Sequence, residues 1–150
     1  MKSESGAQAF AELKRSQLAA AAIDGAELVA SDYSEASFGD ASTLFRVGRV
    51  LLRFVSDRGQ EFLDVASSTA PTHFHRFVAI EVGMGWKTIE QVLAMRKPES
   101  LDEILTRVVK HIEQLDDAFS EERGPLTRAR AESAARGLGR RFVDSIRREK

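Results

Sequence analysis

At 150 residues and a net charge of −1 the chain is about one domain long, enough to bury roughly two-thirds of the surface its unfolded form exposes. Its 43% hydrophobic and 30% charged content is that of a globular protein, and no apolar run approaches the roughly 18 residues of a membrane helix, so a soluble protein is expected. The absence of cysteine excludes disulfides, thiol nucleophiles and thiolate metal sites and fits a cytoplasmic location.

Residues 1–5 are expected to be disordered, and Met1 to Gly6 lack the hydrophobic run of a secretory signal. The Ala-rich stretch from Ala7 to Ala22 has high helix propensity and a weak stripe of Phe10, Leu13, Ala20 and Ala21; Asp24-Gly25 ends it. A first strand is predicted over Glu27–Tyr33, followed by a polar turn at Ser34 to Ser37. A second covers Ser42–Val47, and Gly48-Arg49 supplies the Gly-X pair of a type II′ hairpin turn.

The next two strands carry the strongest signal in the chain. Val50–Val65 holds two runs of period close to 2 on either side of Asp57-Arg58-Gly59-Gln60. A two- or four-residue loop sets Phe54 opposite Leu63, Leu52 opposite Val65 and Arg53 opposite Asp64; a three-residue loop would bury a carboxylate and cost several kcal/mol. The first register wins, and Arg53 with Asp64 becomes a cross-strand ion pair. Pairing through both turns predicts a four-stranded antiparallel meander over about 27–66. Its inner face is Phe45, Val47, Val50, Leu52, Phe54, Leu63 and Val65.

Beyond Pro71 the period turns helical. Phe74, Phe77, Val78 and Glu81 or Val82 suggest a helix from about Thr72, broken by Gly83 and Gly85. Thr88 to Gln91 fits a capping box for a short helix ending before Pro98, and Ser100 to Glu103 a second, better one. The helix it opens carries the stripe Leu101, Ile104, Leu105, Val108, Ile112, Leu115 and Phe119. Gly124-Pro125 separates it from a last helix, about Leu126 to Arg147, with the stripe Ala131, Ala135, Leu138, Phe142 and Ile146 and a weak point at Gly137 and Gly139. The whole is read as a single α+β domain, 1–150, with an N-terminal helix and a helical C-terminal half.

Charge is segregated: residues 123–150 hold nine Lys and Arg against three Asp and Glu, a balance of +6, which leaves −7 on residues 1–122. Arg128, Arg130, Arg136, Arg140, Arg141, Arg147 and Arg148 could neutralise phosphates, but they spread around the helix without interleaved aromatics. Pairing with Glu113, Asp116, Asp117, Glu121 and Glu122 through a helical hairpin, or with a partner, is the favoured expectation. His73 and His75 share a face only on a strand, and they lie where a helix is expected to start, so no metal site is expected. There is no Gly-x-Ser-x-Gly elbow and no phosphate loop around Gly83 and Gly85. No catalytic residue and no cofactor is assigned.

The run Ser31 to Ala41 (SDYSEASFGDA) followed by Leu52 to Gln60 (LRFVSDRGQ) resembles the pattern F-G-N/D-A, then L-R-F-V-x-D-R-G-Q, of a family of small uncharacterised bacterial α+β proteins. The likeness covers about residues 26–120, with Asp40 where the pattern more often has Asn. The size and layout of that family are similar to those of immunity proteins that neutralise toxins. The expectation is a non-enzymatic protein-interaction module, immunity-like by that analogy, which binds a partner through the outer sheet face or the charged helical half, with Arg46, Arg53, Arg58, Phe62 and Asp64 as the candidate partner contacts. The alternatives are a nucleic-acid-associated regulator using the Arg-rich last helix, and a small enzyme with its site in the cleft near His75 and Trp86.

Overall fold

Alternation of apolar and polar residues, punctuated by glycine turns, produces a sheet of five antiparallel strands in sequential order. These are β1 (Glu27–Ser34), β2 (Asp40–Val47), β3 (Val50–Asp57), β4 (Gln60–Ser67) and β5 (His75–Arg76). The structure is a computed structural model that describes residues 2–23, 25–34, 40–95 and 99–148, except for the side chains of 2–5, 34, 142 and 145–148. Residues 35–37 of the turn expected after the first strand, the helix stop at Asp24, Pro98 and the side chains of the stripe positions Phe142 and Ile146 lie outside this description, while Ser34 belongs to β1.

The central register is the one that burial demanded. Phe54 pairs with Leu63, Leu52 with Val65, Arg53 with Asp64, and Phe45 with Leu52. Asp57 pairs with Gln60, so the loop is the two-residue one; Arg58 at φ 52° and Gly59 at φ 80° are both left-handed, as a type I′ turn requires. The other turn has Gly48 at φ 60° with Arg49 at negative φ, consistent with type II′. Asp116, from a helix of the C-terminal half, accepts the Arg49 N–H at 2.8 Å and ties this turn to the layer beneath.

That layer consists of α1 (Lys2–Ala20), α2 (Phe77–Gly83), α3 (Ile89–Leu93), α4 (Leu101–Ala118) and α5 (Gly124–Arg148). Phe45, Val50, Leu52, Phe54, Leu63 and Val65 form one core with Leu18, Phe77, Ile80, Leu105, Val108, Leu115 and Phe119, so the helices cover the inner face of the sheet. Phe45 and Phe54 meet edge-to-face with centroids 6.0 Å apart, an arrangement worth about 0.5–1.5 kcal/mol beyond burial. The last carbonyls of α4 are satisfied by hydroxyls: Thr127 donates to Ala118 at 2.7 Å and Ser67 to Phe119 at 3.1 Å.

Several expectations need correction. The sheet has a fifth strand where a helix was expected from Thr72: His75 pairs with Val65 and Arg76 with Asp64, and α2 starts only at Phe77. In α1, which begins at Lys2, Leu13 is exposed and the buried side is Ala11, Lys14 and Leu18. Its end is a Schellman turn: Ala22 is left-handed at φ 64°, Ile23 N–H bonds Leu18 O and Ala22 N–H bonds Ala19 O. The Thr88 capping box closes in both directions, whereas Ser100 accepts from Glu103 N–H without the return bond, so the second box is the weaker of the two.

The last helix runs unbroken through Gly137 and Gly139, and its buried side is Thr127, Ala131 and Ala134 rather than Ala131 and Ala135. The reason is its neighbour. α5 packs chiefly on α2, and a Cβ on Gly83 would stand 3.0 Å from the Arg130 main chain, so only small residues fit between the two helices. Among the described residues the acidic segment meets the basic one only through Arg123, just ahead of α5, which pairs with Asp117.

Candidate functional site

The outer face of the sheet is the side that no helix of the described residues covers. Strand alternation sends Leu44, Arg46, Leu51, Arg53, Val55, Phe62 and Asp64 to it. Asp64, buried to one-tenth exposure, accepts from Arg53 Nη2 at 2.8 Å on one side and lies 3.2 Å from Arg76 Nη1 on the other. Both guanidinium groups lie over aromatic rings at 3.9 Å, Arg53 on Phe74 and Arg76 on Phe62. Phe74, Arg53, Asp64, Arg76 and Phe62 thus form one cross-strand row in which each cation has both a ring and a carboxylate.

Of the five residues singled out in the sequence, the structure brings Arg53, Phe62 and Asp64 into this row. Arg46 stands apart at the β1 side, exposed and paired with Glu27 at 2.5 Å. Arg58 is at the hairpin tip, where its N–H donates to Asp40 at 2.9 Å. Phe74 and Arg76 were missed because both fall in a stretch that reads as a helix start. Leu51 and Ala66 are buried at one end of the face, and Leu44, Val55 and Phe62 are half-buried.

On the inner side a second polar cluster is enclosed. Glu81, 2% exposed, receives a two-pronged grip from Arg107, Nε to Oε2 at 2.8 Å and Nη2 to Oε1 at 3.0 Å. The same Arg107 also holds Glu99, and Lys87 Nζ lies 3.9 Å from Glu81. Burial acts to lower the Arg107 pKa, but the bonds from Glu81 and Glu99 outweigh it and hold the guanidinium above its ordinary value. The cluster walls an apolar cavity of about 510 Å³ lined by Phe62, Phe77, Val92, Met95 and Ile104.

His75 sits on β5 and Trp86 follows α2. Trp86 stacks flat on His111, centroids 3.9 Å apart and planes 6° from parallel. His75 has its Nε2 buried without a hydrogen-bond partner among the described residues. Burial pushes His75 below its ordinary value; Glu132 and Asp64 oppose the shift, while His73 and Arg128 add to it. With the folded value lowered, the unfolded chain binds more protons between that value and about 6.5, so stability is full above this interval and falls as pH drops through it. His75→Phe should flatten this part of the profile; urea midpoints of wild type and variant at about pH 7.5 and 5.5 check it, and an unchanged slope would count against the assignment.

No family model matches the chain, and neither a curated protein nor a solved structure matches it. No helix among the described residues is long and apolar enough to cross a membrane.

Proposed function

We propose that this chain is a non-enzymatic protein-interaction module that engages a partner protein across the outer face of its sheet, in the manner of an immunity-type protein that binds and neutralises its partner. The observation that carries this reading is the Phe74–Arg53–Asp64–Arg76–Phe62 row on a face that no helix of the described residues covers. Arg and aromatic residues are the side chains most often found to dominate binding energy, and here they are held in place before any partner arrives, which lowers the ordering cost of association. Arg46, paired with Glu27, and Arg58 at the hairpin tip are exposed at the margin of the surface, where either can meet an acidic rim residue of a partner. The cysteine-free composition supports a cytoplasmic setting.

A partner co-purified with the full chain supplies the test. Phe62→Ala with Arg46→Glu should weaken its binding by about tenfold or more while leaving the melting temperature within a few degrees. Unchanged affinity would remove the outer face from consideration.

One observation favours a second reading, a nucleic-acid-associated regulator. Arg128, Arg130, Arg136 and Arg140 have no carboxylate within ion-pair reach among the described residues. That reading calls for binding to an oligonucleotide that weakens steeply with salt.

A further inference from the structure

The side of α5 turned toward α2 and α3 changes character along its length. From Thr127 to Ala134 it is small and buried against α2. Gly137 makes the last close approach, where a Cβ would meet Ile89 Cδ1 at 3.1 Å. Past that point the same side continues with Arg140, Arg141 and Asp144 rather than with apolar residues. The outcome is a groove of about 630 Å³ whose floor is Val82, Gly83, Ile89, Ala134 and Gly137 and whose rim is Arg130, Ser133, Arg140 and Arg141. Only Arg141 has a carboxylate partner among the described residues, Glu90 at 3.2 Å, and both side chains of that pair are at least half exposed. An exposed pair of this kind contributes at most about 1 kcal/mol and exchanges readily for another carboxylate.

We propose that this groove is the docking site for an acidic amphipathic helix of a partner protein. The proposal rests on the interaction-module reading and adds a second contact to it. Charge complementarity selects the sign of the occupant, and the floor selects its shape. Arg130 and the Arg140–Arg141 pair are separated by about 15 Å of helix rise, so they match carboxylates about three turns apart on a helix lying along α5. Aliphatic side chains at i and i+3 or i+4 between those carboxylates fill the floor. Asp144 repels a carboxylate at its end of the groove, which sets the polarity of the bound helix. Nucleic acid fits the same arginines less well: among the described side chains no aromatic lines the groove for a base to stack on, and Arg136 lies outside the lining.

Fluorescence anisotropy with the full chain tests this, using as probe a labelled synthetic helix with leucines along one stripe and glutamates on both flanks. A scrambled peptide of the same composition and a single-stranded oligonucleotide of equal charge are the controls. The amphipathic probe should bind about tenfold or more tightly than the scrambled one. Arg140→Glu with Arg141→Glu, or Ser133→Trp filling the groove from an exposed position, should each abolish that advantage with circular dichroism unchanged. Equal binding of the two peptides, no binding at low salt, or tighter binding of the oligonucleotide overturns the proposal. The outer-face variant Phe62→Ala with Arg46→Glu should hold the probe like wild type; native-partner loss in that variant and probe loss in the groove variants therefore report on two separate surfaces.

Discussion

Replacing Arg107 with alanine should destabilise the protein by about 3–5 kcal/mol, because it strands a charged carboxylate in the interior. Glu81 is 2% exposed and both of its oxygens are bonded by the Arg107 fork, so water has little room to take over. Lys87, at 3.9 Å, is too distant for a strong hydrogen bond and cannot replace a two-pronged grip. For a chain of this size the change corresponds to a fall in melting temperature of roughly 10 °C. Arg107→Lys should recover only part of the loss, since an ammonium offers no fork. Glu81→Met combined with Arg107→Met should recover the part that comes from the stranded Glu81 charge, while Glu99 keeps only Lys87 at 4.0 Å. Thermal unfolding of the three variants decides the matter: a loss under about 1 kcal/mol in Arg107→Ala would mean that the carboxylate is hydrated after all.

The network also shows what kind of structural information a single sequence withholds. The β2–β3–β4 meander could be read because its determinants are local: alternation fixes the faces, Gly48 and Arg58-Gly59 fix the turns, and one-residue slips are excluded by the carboxylates they would bury. Glu81 and Arg107 are 26 positions apart on different helices, so no local pattern joins them. The one signal was a glutamate at a stripe position, Phe74, Phe77, Val78, Glu81, where an apolar residue is the rule. The same applies to the candidate surface. Arg53 and Asp64 face each other by register and were found; Phe74 and Arg76 joined them through a two-residue strand, too short to show any period. In α5 the buried side was misjudged because it is made of Thr, Ala and Gly, whose burial depends on the close approach of α2 rather than on their own hydrophobicity.

This dependence on tertiary context joins the fold to the proposed surfaces. The inner face packs on the helices in one core, and the last carbonyls of α4 are capped by the Ser67 and Thr127 hydroxyls. Among the described residues no helix covers the outer row, and the α5 groove lies open beyond Gly137; charged side chains stand at both. Were both proposed surfaces to engage one protein, effective concentration would add to the affinity of either contact alone.

An asymmetric response should mark the Lys14–Glu61 pair. Lys14 is 1% exposed on the buried side of α1, with its ammonium 2.5 Å from Glu61, whose side chain is 40% exposed. A lysine at this position conceals the stripe from a reading of the sequence, because Ala11, Lys14 and Leu18 share the side that meets the sheet. Glu61→Ala leaves the ammonium enclosed with the Phe10 ring, 5.0 Å away, as its remaining partner, and should cost about 3 kcal/mol. Lys14→Met keeps the length of the stem, removes the charge and exposes nothing, since Glu61 turns to solvent; it should be neutral or stabilising. Adding Lys14→Met to Glu61→Ala should therefore restore most of the lost stability. Urea unfolding of the two single variants and the double variant gives the coupling directly; equal losses in the two single variants would show that the pair contributes net stability of its own.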